Sequence, residues 1–386
     1  MIYNEISGVS VSSLGMGCMR LPTDENSEIN VEATREMVAY AIKKGINYFD
    51  TAWGYHGGRS ESVMGEVLSA YPRDSYYLTS KFPGFSAENM ERIEEIFETQ
   101  LKKCRTEYFD FYLFHNLCES NVDWYLDPKY GLIDYLLKQK KNGRIRHLGF
   151  SVHASLETMT RFLDAYGDVL EFGQVQLNWL DWDFQDAKAK VKELNKRGLS
   201  IIVMEPVRGG KLCSLDEKHE AQLRSIKPNR TIPEWGFRFV QSVEGVAVTL
   251  SGMSNFEQLK ENIATFETRE QLTDTERSTL FEIARQMTSN GTLPCTACRY
   301  CVDNCPMKLD IPWLIELYNN QIYSEKGFRT PSAFRVLKDE KKPSACIACR
   351  ACEGVCPQDL KISEMMADFT RRVNEYEEQK KTSNKT

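Results

Sequence analysis

The feature that most restricts the fold of this chain is a repeated alternation of short apolar runs with amphipathic helical segments. An apolar run followed at once by polar residues is typical of a parallel strand buried on both faces. The runs lie near residues 13, 47, 76, 109, 147, 173, 200 and 246. Eight strand-then-helix units in about 270 residues predict an α/β fold, the (β/α)8 TIM barrel.

Catalytic residues of such a barrel belong at the carboxyl ends of its strands. Four candidates fall there: Asp50 and Tyr55 in FDTAWGY, Lys81 in LTSKF, and His115 in FYLFHN. Free tyrosine titrates near ~10, and a nearby Lys81 ammonium is expected to lower the pKa of Tyr55. Asp50 would hold Lys81 charged, and His115 could orient a carbonyl oxygen or relay a proton. Together they predict a site that gives a proton to a carbonyl while hydride arrives from elsewhere.

Each of these residues alone has an ordinary structural explanation, since aspartate caps helices, tyrosine packs and lysine is solvated. Their occurrence in this order on three successive strand ends is harder to obtain by accident. At this point the chain resembles the aldo-keto reductase family: DTAWGY matches the family's DTAxxY signature, and GMGCMRLP is similar to its first strand and loop. The resemblance extends over residues 1–290, approximately, and implies that the four residues form the family's catalytic tetrad.

A reductase of this kind needs a nicotinamide cofactor, yet the chain has no G-x-G-x-x-G, so the Rossmann fingerprint is absent. The resemblance accounts for this absence, because aldo-keto reductases bind NADP in an extended form across the barrel mouth. It implies that Ser151 and Gln174 contact the nicotinamide carboxamide. The family commonly has Ser-Asn where this chain has Ser151-Val152-His153. Glu205 stands near the position where many members place an aromatic residue or a serine beside the nicotinamide.

The resemblance also assigns the phosphates of the dinucleotide to the segment MEPVRGGKL. In this segment Gly209 and Gly210 would let backbone N–H groups approach phosphate. Arg208 or Lys211 could add positive charge. An ordinary βα turn with two glycines is the alternative.

The segment SGMSNFEQLKEN resembles the family's adenosine-binding end. Ser254 would begin a helix and either cap it or bind the 2′-phosphate of NADP. Gln258, Glu261 and Asn262 would face the adenine from one side of that helix. Some members have an arginine where Gln258 stands, so NADP is favoured while NAD stays open, and a flavin is not excluded.

The twelve cysteines are unevenly distributed. Cys18, Cys104, Cys118 and Cys213 are scattered through the predicted barrel. The other eight form two copies of C-x2-C-x2-C-x3-C-P, namely Cys295, Cys298, Cys301 and Cys305, then Cys346, Cys349, Cys352 and Cys356. Cysteines grouped in this way in a cytosolic enzyme indicate metal or cluster binding rather than disulfides.

This motif is that of two-cluster ferredoxins, in which the fourth cysteine of each copy ligates the other cluster. Zinc sites more often use two C-x2-C pairs than two complete quartets. The sequence therefore predicts two [4Fe–4S] clusters with exchanged fourth ligands. One would be held by Cys295, Cys298, Cys301 and Cys356, and the other by Cys346, Cys349, Cys352 and Cys305.

The domain division follows from these assignments: a barrel in residues 1–288, a small dicluster domain in residues 289–370, and a polar tail in residues 371–386. The segment between the two cysteine motifs includes DIPWLIELYNNQIY, which has helical periodicity. We therefore expect a mainly α-helical dicluster ferredoxin domain.

Net charge and composition limit the kinds of partner that this chain is expected to bind. The chain has 386 residues and a formal net charge of −6, without a strongly basic block, so nucleic acid is not an expected partner. Its first residues lack the basic region and apolar core of a secretory signal, and no apolar run approaches the ~20 residues of a membrane span. These observations predict a cytoplasmic protein without a membrane partner.

Two classes of function remain open from the sequence. The first is a nicotinamide-dependent oxidoreductase that reduces a small carbonyl substrate, or oxidises the alcohol, with a fused electron-transfer domain. The second is a ferredoxin-type electron-transfer or redox-sensing protein that uses the barrel to bind a flavin, a nucleotide or a partner. Hydride carries two electrons and a cluster passes one, so a flavoprotein or ferredoxin is an expected electron partner.

Overall fold

The computed structural model describes residues 1–26, 28–84, 86–118, 121–288, 291–293, 295, 300–322, 337–356 and 360–383. The chain divides into two compact units, Met1–Ser214 with Lys227–Arg277, and Leu215–Ile226 with Ser278–Thr386. The second unit thus includes Leu215–Ile226, a segment that the sequence analysis assigned to the barrel. His219 in this segment bonds through Nε2 to Gln286 Oε1 (3.2 Å), which ties it to the later part of the chain.

Eight parallel strands of the first unit form a closed barrel in the order β10-β3-β4-β5-β6-β7-β8-β9. Two further strands pair with each other as an antiparallel hairpin. The strand bounds are β1 Tyr3–Ile6, β2 Val9–Ser12, β3 Leu14–Gly17, β4 Tyr48–Asp50, β5 Tyr77–Phe82, β6 Phe109–Leu117, β7 Ile145–Val152, β8 Phe172–Gln176, β9 Ser200–Met204 and β10 Val246–Ser251. The predicted (β/α)8 barrel is confirmed.

Helices alternate with the barrel strands and continue into the second unit. Within the described residues they are α1 Val31–Lys43, α2 Ser60–Leu68, α3 Ala87–Glu91, α4 Ile93–Lys103, α5 Val122–Leu126, α6 Leu132–Lys141, α7 Leu156–Tyr166, α8 Asp181–Phe184, α9 Ala187–Lys196, α10 Glu217–Ile226, α11 Ile232–Gln241, α12 Phe256–Phe266, α13 Asp274–Thr288, α14 Tyr300–Asp303, α15 Ile311–Ile322 and α16 Ile362–Ser383. Side-chain caps begin several of them, such as Asn30 for α1 and Thr231 for α11.

The β1–β2 hairpin closes the end of the barrel at which the strands begin. Its Ile6 and Val11 are buried in one apolar cluster with Tyr48, Phe111 and Val248 from the barrel interior. Apolar residues thus fill the barrel interior at this end, and the catalytic residues of such a barrel belong at the opposite end, where the strands finish.

The second unit is mainly helical, as predicted. Leu314 and Tyr318 of α15 share a buried apolar cluster with Met366 and Phe369 of α16. Tyr318 Oη also donates to Asp368 Oδ2 (2.7 Å). Helix α16 continues to Ser383, so most of the expected polar tail is helical.

None of the helices in the described parts of the chain combines the length and the apolar character that crossing a bilayer requires.

Candidate active site

The four predicted catalytic residues lie on neighbouring elements of the barrel. Asp50 is the last residue of β4, Lys81 lies in β5 and His115 in β6, while Tyr55 begins a short 3-10 turn five residues after Asp50. Strands β4, β5 and β6 are adjacent in the barrel. The fold therefore places these side chains together at the ends of three successive strands.

Lys81 is the centre of the group. Its Nζ donates to Asp50 Oδ1 (2.6 Å), to the carbonyl oxygen of Thr51 (2.8 Å) and to Tyr55 Oη (3.5 Å). Lys81 is fully buried and Asp50 is 2% exposed. A buried ammonium with three acceptors, one of them a carboxylate, is held in place as well as held charged.

The pKa shifts follow from this burial. Burial alone would lower the pKa of Lys81, but Asp50 and Tyr55 outweigh it, and the net pKa is raised. Burial raises the pKa of Tyr55, and the Lys81 ammonium only partly opposes that rise. The sequence-based expectation of a lowered Tyr55 pKa is thus wrong in its net direction, because desolvation of the phenolate outweighs attraction to the ammonium. The phenol consequently stays protonated at neutral pH.

His115 faces the phenol from the next strand. Its ring centroid lies 6.0 Å from that of Tyr55, in an edge-to-face arrangement. Burial, with smaller contributions from Lys81 and His153, holds the pKa of His115 well below its usual value. A neutral imidazole beside a protonated phenol can orient an oxygen atom without adding charge.

A buried network behind β5 supports the lysine, and sequence reasoning did not identify it. Gln100 Nε2 donates to the main-chain oxygen of Lys81 (3.0 Å) and to Glu61 Oε1 (2.7 Å), and Gln100 Oε1 accepts from Tyr112 Oη (2.5 Å). Lys103 lies near Glu61 Oε2 (3.4 Å). The helical spacing of Gln100 and Lys103 gives no sequence signal that would separate them from ordinary helix residues.

Ser151 and Gln174 are register partners on β7 and β8. Ser151 Oγ accepts from the main-chain N–H of Asn116 (2.8 Å), so its own hydroxyl proton is left to donate. Gln174 is 2% exposed, and within the described part of the chain its Oε1 has no hydrogen-bond partner. A donor next to a buried acceptor complements a primary amide, which fits the predicted nicotinamide carboxamide.

The predicted pyrophosphate segment is a loop of unusual backbone conformation after β9. Glu205 and Arg208 have φ of 55° and 48°, and Gly209 and Gly210 have φ of 66° and 94°. Arg208 Nε bonds to both carboxylate oxygens of the fully buried Asp181 (3.1 Å each). Positive φ in non-glycine residues persists only where the surroundings hold it, and it concentrates at ligand sites.

Arg20 belongs to this region, although no sequence pattern around residue 20 singles it out. Its Nη1 donates to the Gly209 oxygen (2.6 Å), and its own main-chain oxygen accepts from Ser254 Oγ (3.0 Å). Arg20 therefore joins the predicted phosphate loop to the predicted adenosine segment. Only the tertiary structure brings residue 20 to residues 209 and 254.

The adenosine segment requires one correction. Asn255, not Ser254, caps α12, because Asn255 Oδ1 accepts from the Gln258 main-chain N–H (2.9 Å). The side chain of Gln258 accepts from the Ser254 N–H (2.8 Å). Asn262 is buried and donates to Ser251 Oγ (3.0 Å), whereas Glu261 is exposed. Of the predicted adenine-facing residues, Asn262 thus points toward the end of β10.

The cysteine motifs lie in the second unit. One cavity is lined by Cys305 together with Cys346, Cys349 and Cys352, which is the ligand set predicted for the second cluster. Ala348 and Arg350, between these cysteines, have φ of 53° and 61°. Alternating backbone of this kind turns successive N–H groups inward and forms a concavity for anionic groups such as iron–sulfur clusters. These residues fit a [4Fe–4S] cluster.

The first motif is described in part, since Cys298 lies outside the described residues. In the described parts of the chain no three His, Cys, Asp or Glu side chains converge on the position of a single metal ion. A cubane does not require such convergence, because it distributes its four thiolates over four corners.

Comparison with known proteins defines the class. A model of the aldo/keto reductase family matches residues 13–285, and a model of a 4Fe-4S dicluster domain matches residues 294–360. The first match covers more than half of the 386 residues. The chain belongs to the aldo/keto reductase family, and it is an oxidoreductase of that family with a fused 4Fe-4S domain.

Individual similar proteins are consistent with this family assignment. Probable aldo-keto reductase 1 of Glycine max is 28% identical over 211 residues, which are 53% of this chain and 58% of that protein. The uncharacterized oxidoreductase YqkF of Bacillus subtilis is 24% identical over 290 residues, 67% of this chain and 88% of that one. Aldo-keto reductase AKR11C1 from Bacillus halodurans, in its holo form, matches with a TM-score of 0.60 at 25% identity, over 73% of this chain and 96% of that one. The chain spans less than two thirds of the Glycine max protein and most of the other two.

Proposed function

We propose that the barrel reduces a small carbonyl compound, or oxidises the corresponding alcohol, with NADP(H). The observation that carries the proposal is the buried contact of Lys81 with Asp50 and Tyr55. The nicotinamide, when bound, supplies or accepts the hydride. The chain's own residues supply the proton, the orientation of the substrate oxygen and the exclusion of water.

Tyr55 is the proton donor in this proposal. Its raised pKa keeps the Oη proton in place until a substrate oxygen becomes basic enough to take it. Lys81, kept charged by Asp50, then stabilises the phenolate that is left. His115, neutral and next to the phenol, orients the carbonyl oxygen.

The cofactor would lie along the strand ends from β7 to β10. Ser151 and Gln174 hold the carboxamide, and the pyrophosphate lies against Gly209 and Gly210, with charge from Arg208 and Arg20. The adenosine end lies at Ser254, Gln258, Glu261 and Asn262, with Glu205 near the nicotinamide. Gln174 Oε1, a buried acceptor without a partner in the described residues, is the strongest support for this placement.

The second unit would hold two [4Fe–4S] clusters that exchange single electrons with a flavoprotein or ferredoxin partner in the cytoplasm. Cys295, Cys298, Cys301 and Cys356 would hold one cluster, and Cys346, Cys349, Cys352 and Cys305 the other. The cavity that joins Cys305 to the second motif supports this exchange of fourth ligands.

The test is Tyr55→Phe. Loss of one general acid costs about 10²–10⁴-fold, so kcat for carbonyl reduction should fall by that factor while the Kd of NADPH stays within about twofold. Tyr135→Phe is the matched control, because Tyr135 Oη has no hydrogen-bond partner in the described residues. Near-normal turnover in the Tyr55→Phe variant would place the acid elsewhere.

A second measurement separates the enzyme from a binding platform. Anaerobically purified wild-type protein is mixed with NADPH and a panel of aldehydes, and its absorbance spectrum is recorded before and after. Consumption of NADPH that depends on aldehyde supports the reductase. A bound flavin and no aldehyde-dependent turnover would support an electron-transfer protein instead.

A further inference from the structure

The short turn that carries Tyr55 has an unusual backbone conformation. After Tyr55, three successive residues have left-handed φ values, which are 51° at His56, 62° at Gly57 and 89° at Gly58. Left-handed residues normally occur singly, and a run of them persists only where the surrounding structure holds it. The position of the proposed proton donor therefore depends on contacts that come from outside the turn.

Lys103, the last residue of α4, makes such contacts on both sides of Tyr55. Its Nζ donates to the main-chain oxygen of Gly58 (3.2 Å) and lies 4.1 Å from the ring centroid of Trp53. A cation within about 6 Å of an indole ring is attracted to the face of that ring. One ammonium group thus holds both the residue two positions before Tyr55 and the residue three positions after it.

The carboxylate of Glu61 holds that ammonium group in place. The Glu61 side chain is fully buried, and its Oε2 lies 3.4 Å from Nζ of Lys103, whose side chain is 24% exposed. Glu61 Oε1 accepts from Ser80 Oγ and from Gln100 Nε2 (2.7 Å each). Because those two donors are neutral, the buried carboxylate depends on the Lys103 ammonium to compensate its charge.

The same carboxylate is connected to the lysine of the tetrad. Gln100 Nε2, which donates to Glu61, also donates to the main-chain oxygen of Lys81 (3.0 Å). Glu61 thus connects β5 to the turn, through Gln100 on one side and Lys103 on the other. Lys81 Nζ and Tyr55 Oη are 3.5 Å apart, which is close to the longest separation that a hydrogen bond allows. A small displacement of the turn would therefore break this contact.

On the basis of the proposed carbonyl reduction, we propose that Lys103, paired with Glu61, is a positioning residue for the proton donor Tyr55. It keeps the phenol within reach of the Lys81 ammonium, because it holds the backbone and the indole ring on either side of the phenol. No bond is made or broken at Lys103, which acts only through the turn.

The first experiment compares Lys103→Met with the wild type, in the full-length protein with NADPH and benzaldehyde. Methionine keeps an apolar stem and removes the ammonium group. A misplacement of about 1 Å can cost about 100-fold in rate, so kcat should fall by about 10- to 100-fold, while the KM of benzaldehyde and the Kd of NADPH stay within about twofold. An unchanged kcat would overturn the proposal.

Lys102→Met is the matched control, because Lys102 is the exposed neighbour of Lys103 in the last turn of α4. This variant removes the same charge from the same helix end, and it should leave kcat within about twofold, since exposed charges contribute little. An equal fall of kcat in both variants would show that the rate responds to charge at this helix end, and it would overturn the assignment to Lys103.

A double variant separates positioning from stability, and it replaces Lys103→Met if that variant does not fold. Lys103→Met alone leaves Glu61 as an uncompensated buried charge, so its thermal midpoint should fall. Adding Glu61→Gln removes that charge, and the new amide oxygen can still accept from the two neutral donors. The midpoint should then recover while kcat stays low, because neither Trp53 nor Gly58 regains its contact. Recovery of kcat together with the midpoint would overturn the proposal.

Hydrogen exchange followed by mass spectrometry tests the turn without turnover. Loss of a hydrogen bond from a charged group corresponds to about 10-fold or more in local opening, so peptides that cover residues 53–59 should exchange faster by about that factor in the double variant. Peptides from β7 and β8 should not change. Equal acceleration throughout the barrel, or a fall in kcat without faster exchange at residues 53–59, would overturn the proposal.

The exchange measurement also separates this inference from the proposed function. If the wild type reduces no aldehyde, the proposed function fails, and exchange at residues 53–59 still shows whether Lys103 holds the turn. Unchanged exchange would then overturn the role of Lys103 as well. If benzaldehyde is reduced and neither kcat nor exchange responds to the loss of Lys103, the reductase stands and the positioning role falls.

Discussion

The buried pair of Asp50 and Lys81 allows a quantitative test of the site. Asp50 Oδ1 accepts from Lys81 Nζ at 2.6 Å, and its Oδ2 has no hydrogen-bond partner in the described residues. Lys81 has two further acceptors, Thr51 O and Tyr55 Oη. Each charge thus depends on the other, and within the described residues the Asp50 carboxylate accepts from Lys81 alone.

Removing one partner of a buried ion pair costs about 3–5 kcal/mol, because the other charge is left uncompensated. Asp50→Asn and Lys81→Met should each lower the free energy of unfolding by about that amount. The double variant leaves no buried charge, so it should lose about as much as one single variant. The coupling between the two sites should therefore be about 3–5 kcal/mol.

The assay is urea unfolding of the anaerobic protein, followed by tryptophan fluorescence. The chain has six tryptophans, and the five at positions 53, 124, 179, 182 and 235 precede the cysteine motifs, so the signal reports mainly on the barrel. Additive losses, within about 0.5 kcal/mol, would refute the argument that the two charges compensate each other.

The same variants make a kinetic prediction. Burial alone would lower the pKa of Lys81, and Asp50 is the largest group that opposes it. Asp50→Asn should therefore move the alkaline limb of the kcat/KM profile to lower pH, since the lysine loses its proton earlier. An unchanged alkaline limb would mean that it does not report the state of Lys81.

Three further results are expected. Cys305→Ala should remove mainly the EPR signal of the cluster of the second motif, although Cys305 lies in the first, and loss of the other cluster instead would show that each motif binds its own cluster. Arg20→Ala should weaken NADPH binding by about 10-fold in a fluorescence titration, because Arg20 joins the Gly209 loop to Ser254. Arg224→Ala is the control, since the Arg224 side chain is exposed on α10. Equal Kd values for wild type and Arg20→Ala would exclude a phosphate contact. Hydrogen bonds from His147 and Lys140 outweigh burial and lower the pKa of Glu171 to about 2. Glu171 should therefore stabilise the fold above about pH 4.5, and this stability should be lost as the pH falls toward 2. Glu171→Gln should accordingly reduce the fall in thermal midpoint between pH 5 and pH 3, and an unchanged pH dependence would contradict that lowered pKa.

The sequence by itself determined the parts of this protein that depend on local pattern. Apolar runs at regular spacing predicted all eight barrel strands, because a strand buried on both faces must be apolar along its length. Asp50, Tyr55, Lys81 and His115 were recognisable because each follows or ends such a run. The cysteine motifs could also be recognised from sequence, since metal ligands in one segment recur at short fixed spacings.

Tertiary structure decided what depends on contacts between distant segments and on solvent exclusion. Gln100 and Arg20 meet their partners, the Lys81 main chain and the Gly209 loop, only because barrel closure brings these distant segments together. The direction of the Tyr55 pKa shift likewise needed the structure, because it is the difference between burial and the attraction of Lys81. Sequence shows which charges are near a phenol along the strand ends, but the amount of water removed from it is a property of the packed fold.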